Sequence, residues 1–279
     1  MIHNHEVTSS ILVLATKNTC KTPAYGGCFF WRGGWRFHLY PPKFPIFTGM
    51  NFDIHVFGEG FHRFVQQEMD WFTVPLGLLF HVLAFLVLIL VFIYGNKVRK
   101  LFTVYFTINW LFLFGYWGVY AIVYWARIGP VYLATFVMTP ILLGFIAAEW
   151  IRECVRPRID IDLRNIPAWR YWVLVIVVWG LWYPTYLYGE GFVFQARDLL
   201  FSNFGLMPCP TTMVVLGLFT LKYPAGNRRL FVLLTMFSLI VGIPTVATGW
   251  IPDIPLIMIG VYGGIMLVFL RRQKRKSQI

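Results

Sequence analysis

Apolar residues gather in seven long runs along this chain, each separated from the next by a short polar stretch. The runs cover roughly 72–95, 101–125, 129–150, 169–188, 206–222, 229–249 and 254–270. An α-helix needs about 20 apolar residues to cross the hydrocarbon core of a bilayer. Lipid offers no partner for free backbone groups, so a spanning segment satisfies them internally, as a helix does. The pattern therefore predicts an all-α fold, a polytopic transmembrane bundle of seven helices over 72–270. Just ahead of it, Phe57, Phe61, Phe64 and Val65 recur at helical spacing among charges. This predicts an interfacial amphipathic segment over 51–71.

The polar stretches alternate in charge. Lys97, Arg99 and Lys100 follow the first run, Arg152, Arg156, Arg158, Arg164 and Arg170 the third, and Lys222, Arg228 and Arg229 the fifth. A basic tail over 271–279 follows the last. The short loops between carry only Arg127 and Arg197. Basic residues are held back on the cytoplasmic side, so the C-terminus is expected in the cytoplasm and, after an odd number of crossings, the N-terminus outside. Residues 1–50 read as a polar N-terminal tail, either disordered or lying ahead of a true start at Met50. On the outer side, Cys20 and Cys28 could pair as a disulfide.

Composition agrees with a membrane protein. The 279 residues are 58% hydrophobic and 13% charged, with a net charge of +12, whereas soluble domains carry about 25% charged residues. The basic excess is accounted for by topology and by attraction to anionic lipid headgroups, so no nucleic-acid partner is needed. The expected partners are the bilayer, with anionic headgroups at its cytoplasmic face, and other membrane proteins. A multi-pass membrane location follows.

Prolines and glycines refine the bundle. Pro75, Pro130 and Pro255 fall in first turns, where a missing N–H costs little. Pro140 and Pro244 fall inside runs and are expected to kink them, freeing the carbonyls of Phe136 and Ile240. Gly260 and Gly264 form a small-xxx-small pair suited to close helix contact.

Candidate chemistry concentrates at the start of the fifth run, Phe204-Gly205-Leu206-Met207-Pro208-Cys209-Pro210-Thr211-Thr212. Two prolines in one turn can open a helix but not continue one, and Ser202 or Asn203 could cap it. A thiol at a helix start gains reactivity from the dipole, and Met207 with Cys209 offers soft metal ligands. The competing reading is a structural helix start with a buried thiol. His81 and Asn109 fall near the midplane of runs one and two, where polar groups are costly and often functional. They could bond one another or simply join helices. Glu149 with Arg152 reads as an interfacial ion pair. Asp253, between Pro252 and Pro255, reads as an N-cap or, with Glu190 and Asp198, as the rim of a cation entrance. The metal question stays open. No catalytic residue and no cofactor is assigned, since protease, hydrolase and Walker motifs are missing, and the last run has no lysine for a retinal Schiff base.

Tyr183-Pro184, Gly189, Phe204-Gly205, Pro208-Cys209-Pro210-Thr211-Thr212, Gly217-Leu218 and Asp253 resemble the bacterial multi-pass membrane proteins grouped as domain of unknown function 6064. The likeness is best over about 180–270 and looser over 60–180. Gly189-Glu190-Gly191 stands where that family has Gly-His-Gly, and the first 50 residues have no counterpart. The resemblance implies an inner-membrane bundle and brings no activity with it.

The expected function is binding or transport of a small solute or ion. The candidate residues are His81, Asn109, Met207, Cys209, Thr211, Thr212 and Asp253. An accessory or assembly subunit of a larger membrane complex is the first alternative, and a membrane enzyme using Cys209 the second.

Overall fold

The computed structural model describes residues 76–120, 130–164, 166–187, 191–194, 202–223 and 226–276. The expected tail 1–50 with Cys20 and Cys28, the segment 51–71, and the loop residues Glu190 and Asp198 lie outside them. The described residues are mostly helical. The α-helices are α1 (Leu78–Tyr94), α2 (Arg99–Leu113), α3 (Pro130–Val155), α4 (Val173–Trp182), α5 (Pro208–Leu221), α6 (Arg228–Ala247) and α7 (Ile254–Lys276). A short antiparallel hairpin, β1 (Thr185–Leu187) and β2 (Gly191–Val193), stands between α4 and α5, with Tyr186 opposite Phe192.

Three stretches are long and apolar enough to cross a membrane: Leu78–Gly118, Arg228–Ala247 and Ile251–Phe269. Ala168–Trp182 and Pro208–Leu221 are shorter apolar helices. The first stretch holds both α1 and α2, which fold back on one another through Gly95 at φ 55° and a single 3-10 turn. The Tyr105 hydroxyl donates to Phe80 O at 2.9 Å, and the Phe80 and Phe112 rings meet at 5.3 Å. Large apolar side chains point outward, among them Phe92 at 74% and Val175 at 71% exposure. In water such a surface would aggregate; in a bilayer it faces lipid tails. This is a membrane-embedded protein.

All residues of α5 are buried. A helix apolar on every face belongs at the centre of a bundle, and α4, α6 and α7 pack around this one. Two glycines set the closeness of α4 and α5. A Cβ on Gly217 would stand 2.5 Å from Val177 Cγ2, and one on Gly180 would stand 2.9 Å from Pro210 O. α4 ends at Trp182, short of the run expected to reach 188. Tyr183 takes a left-handed φ of 34°, and Pro184 cannot continue a helix.

α6 and α7 pack through Gly260 and Gly263, not Gly260 and Gly264. A Cβ on Gly260 would meet Ser238 Oγ at 2.3 Å and one on Gly263 would meet Thr235 Oγ1 at 2.8 Å, whereas Gly264 has nothing within 4 Å. On α7 the contact edge therefore runs at a spacing of three residues, not four. α7 also runs on through Lys276, so the first part of the expected basic tail continues the last helix.

The connecting segments sort to two ends. Around 95–100, 156–170 and 222–229 they interlock: Asn96 Nδ2 donates to Asp160 Oδ1 at 2.9 Å, and Lys222 Nζ lies 3.7 Å from Asp160 Oδ2. At the opposite end lie the β-hairpin, the 202–207 turn and the 248–253 turn, which surround the start of α5.

Candidate functional site

Residues 202–207 make a compact turn that delivers an extended Met207 (φ −114°, ψ 142°) to Pro208, the first residue of α5. Pro208 and Pro210 remove two N–H groups that would otherwise stand unpaired at a helix start. No side chain caps the helix in the expected way. Asn203 instead uses its carbonyl, which accepts from Leu206 N at 3.1 Å and Met207 N at 2.8 Å. Thr211 reaches back, accepting from Gly205 N at 3.0 Å and donating to Met207 O at 2.8 Å. Thr212 donates to Pro208 O at 2.7 Å.

The neighbouring helices hold this turn from outside. His81 Nε2 lies 2.9 Å from Ser202 Oγ and 3.1 Å from Leu181 O, and Nδ1 lies 2.9 Å from Gly77 O. Ser202 also donates to Leu181 O at 2.8 Å. Asn109 Nδ2 donates to Gly205 O at 2.9 Å. A π-helical stretch, Phe114–Tyr120, continues α2, and within it Trp117 Nε1 donates to Leu206 O at 2.6 Å. His81 and Asn109 thus serve the same turn and do not bond each other. Gly205 sits at φ 78°, where a Cβ would meet Phe80 Cβ at 2.8 Å. Asn109 Oδ1 is buried with no hydrogen-bond partner among the described residues.

On the other flank of the α5 start lies Asp253, only 1% exposed. Its two carboxyl oxygens are taken up by side-chain hydroxyls rather than by the first N–H groups of α7. Tyr183 Oη donates to Oδ1 at 2.7 Å, and Thr245 Oγ1 lies 2.9 Å from Oδ2. Trp250 Nε1 donates to Tyr183 Oη at 2.6 Å. The Cys209 thiol is a further neighbour of the carboxyl. Trp179 Nε1 donates to Pro252 O at 3.1 Å, fixing the 250–253 turn on α4. Pro244 lies inside α6. One residue on, Thr245 also stands 3.0 Å from Val241 O and 2.9 Å from Gly242 O.

All seven residues singled out in the sequence are therefore buried around one helix start. His81, Asn109 and Thr211 share the 202–207 turn with the main chain of Met207, while Cys209 and Asp253 meet on the far side. Among the described residues, no group of three or more His, Cys, Asp or Glu side chains could hold a metal ion. Glu149 and Arg152 pair as expected.

Pattern reading missed Tyr183, Thr245, Trp250, Trp117 and the bonding role of Ser202. Tyr183-Pro184 does mark a helix end in sequence, and Thr245 follows a helix-interior proline. Nothing local marks Trp117 or Trp250. At the opposite end Glu153 is 1% exposed. Its Oε2 accepts from Arg158 N at 2.7 Å and Ile159 N at 3.2 Å, and its Oε1 from Asn227 Nδ2 at 2.6 Å. Arg170 Nη1 donates to Leu221 O at 3.1 Å and Tyr223 O at 2.8 Å, closing the C-terminal end of α5. Asp160 sits below the ordinary carboxyl value. Burial pushes it up, but Asp162 N–H, Asn96 and the Lys222 ammonium outweigh that.

Comparison with protein-family models, with curated proteins and with solved structures finds no match to this chain.

Proposed function

We propose that this chain is a multi-pass protein of the inner (plasma) membrane that binds or moves a small solute or ion at the outer end of its bundle. In this reading it crosses the membrane seven times, with the N-terminus outside and the C-terminus in the cytoplasm. Seven described helices of ten or more residues follow the seven apolar runs, and the basic connections interlock at one end. Kinship with the family of domain of unknown function 6064 belongs to the same proposal and rests on the sequence likeness around Pro208-Cys209-Pro210-Thr211-Thr212.

One observation carries the function. Asp253 is a buried carboxyl whose partners are neutral hydroxyls and a thiol, and no ion-pair partner for it is found among the described residues. Sealing an ionisable group away from water is expensive, and within a membrane such groups mark ion or substrate positions by default. The unpartnered Asn109 Oδ1 adds a buried acceptor on the other flank of the same helix start.

The test is the melting temperature of the purified protein and of Asp253→Asn in Na+, K+ and choline salts and with a panel of amino acids and sugars. At least one of these should raise the melting temperature of the wild type by several degrees and leave Asp253→Asn unmoved. If none shifts the wild type, the proposal fails. A role in assembly draws on the uncovered Gly264 face of α7; stable partners co-purifying in mild detergent would favour it.

A further inference from the structure

We infer that the ion held at Asp253 is a proton, shared between Asp253 Oδ2 and Thr245 Oγ1, an assignment that rests on the reading of Asp253 as the binding residue. The argument is a count of donors and acceptors. Indole nitrogen only donates, so at 2.6 Å Trp250 Nε1 occupies a lone pair of Tyr183 Oη. The single Tyr183 proton is then directed at Asp253 Oδ1, 2.7 Å away. Thr245 has one hydroxyl proton and three acceptors in range: Asp253 Oδ2 at 2.9 Å, Gly242 O at 2.9 Å and Val241 O at 3.0 Å.

With a proton on Oδ2 the network closes in one direction. Trp250 donates to Tyr183, Tyr183 to Asp253, Asp253 to Thr245, and Thr245 to a carbonyl of α6. When the proton leaves for a water molecule, the O–H bond at Oδ2 breaks with its electron pair staying on the carboxylate, and a new O–H bond forms on the water, giving hydronium. The Thr245 hydroxyl then turns from the carbonyl to the bared oxygen. The anion keeps two hydroxyl donors, from Tyr183 and Thr245. Both states are thus bonded, but the protonated one makes one hydrogen bond more and buries no charge.

A metal cation fits less well. The oxygens around Asp253 already satisfy one another at hydrogen-bonding distances, and hard cations require several oxygens turned toward them at once. The groups facing the carboxyl are Tyr183 from the end of α4, Cys209 from α5 and Thr245 from α6, with Trp250 behind Tyr183. Tyr183 and Cys209 are the titratable ones. No charged side chain among the described residues is ion-paired with Asp253.

The experiment is infrared spectroscopy of the full chain in lipid vesicles at pH 7, read at the C=O stretch of a protonated carboxyl. The wild type should show this band, and growth on aspartate labelled with 13C at the carboxyl should shift it to lower frequency. Asp253→Asn should lose it. Thr245→Val should keep the band but move it upward, since the acceptor is gone. Absence of any label-sensitive band in the unmutated protein overturns the inference and needs no variant to fold. A band that persists in a folded Asp253→Asn protein overturns it too. Neither result bears on the melting shifts above, so failure of the proton and failure of solute binding are distinguishable.

Discussion

The Tyr183 hydroxyl donates to Asp253 Oδ1 at 2.7 Å while accepting from Trp250 Nε1 at 2.6 Å, so one buried phenol joins the end of α4 to the entry of α7. Tyr183 reaches this position from a left-handed backbone, φ 34°, which a residue with a side chain rarely adopts. Such strain persists only where surrounding contacts hold it. Replacing Tyr183 by Phe strips a buried carboxyl oxygen of its phenol donor. Buried polar groups stranded this way cost about 1–3 kcal/mol. Unfolding of Tyr183→Phe in SDS–detergent mixtures should show a loss in that range; wild-type stability would mean the bond contributes nothing.

Gly260 and Gly264 separate two packing models. Gly260→Ala places a methyl 2.3 Å from Ser238 Oγ and 3.0 Å from Leu239 Cδ2, whereas Gly264→Ala meets nothing within 4 Å. Overpacking a fitted interface costs about 1–3 kcal/mol, so Gly260→Ala should lower the melting temperature and Gly264→Ala should leave it unchanged. Equal effects would mean that α6 and α7 cross differently.

His81 and Asn109 act on the 202–207 turn, which leads directly into the first turn of α5, where Cys209 lies. In the wild type Cys209 is 5% exposed, and maleimide labelling followed by peptide mass spectrometry should find it slow. His81→Ala removes the ring that contacts Ser202 Oγ, Leu181 O and Gly77 O. Local opening should then become easier and Cys209 labelling faster, with Cys154 as the internal reference. An unchanged rate would show that the turn does not depend on His81.

Asp160 links the 95–98 turn, the 156–167 segment and Lys222. Its carboxyl is held below the ordinary value in the folded protein, so it stabilises the fold above the ordinary carboxyl range. That contribution fades as acid carries the pH down through the lowered value. The difference in melting temperature between wild type and Asp160→Asn should be open at neutral pH and close below about pH 4. A gap that widens in acid would reverse the sign.

Much of this architecture is written in local patterns. Apolar runs become helices because lipid and a dry interior both demand internally bonded backbone, and Pro208 starts α5 because a helix start tolerates proline. His81, Asn109, Cys209 and Asp253 stood out because polar atoms are rare in such runs. What they bond to was not legible. Ser202 is 121 residues from His81, and Asp253 is 70 from Tyr183, pairings set only when helices dock. Gly263 displaced Gly264 for the same reason, since the contact face depends on how α7 rotates against α6. The π-helical stretch that aims Trp117 at Leu206 O leaves no mark in hydropathy.

In the proposed orientation the Asp253 end of the bundle faces outward and the interlocked basic end faces the cytoplasm. Paired fusions of alkaline phosphatase and green fluorescent protein, placed in the 188–190 loop and after Ile279, test this directly. Phosphatase activity is expected only from the loop and fluorescence only from the C-terminal fusion. Fluorescence from the loop with phosphatase activity after Ile279 would contradict it.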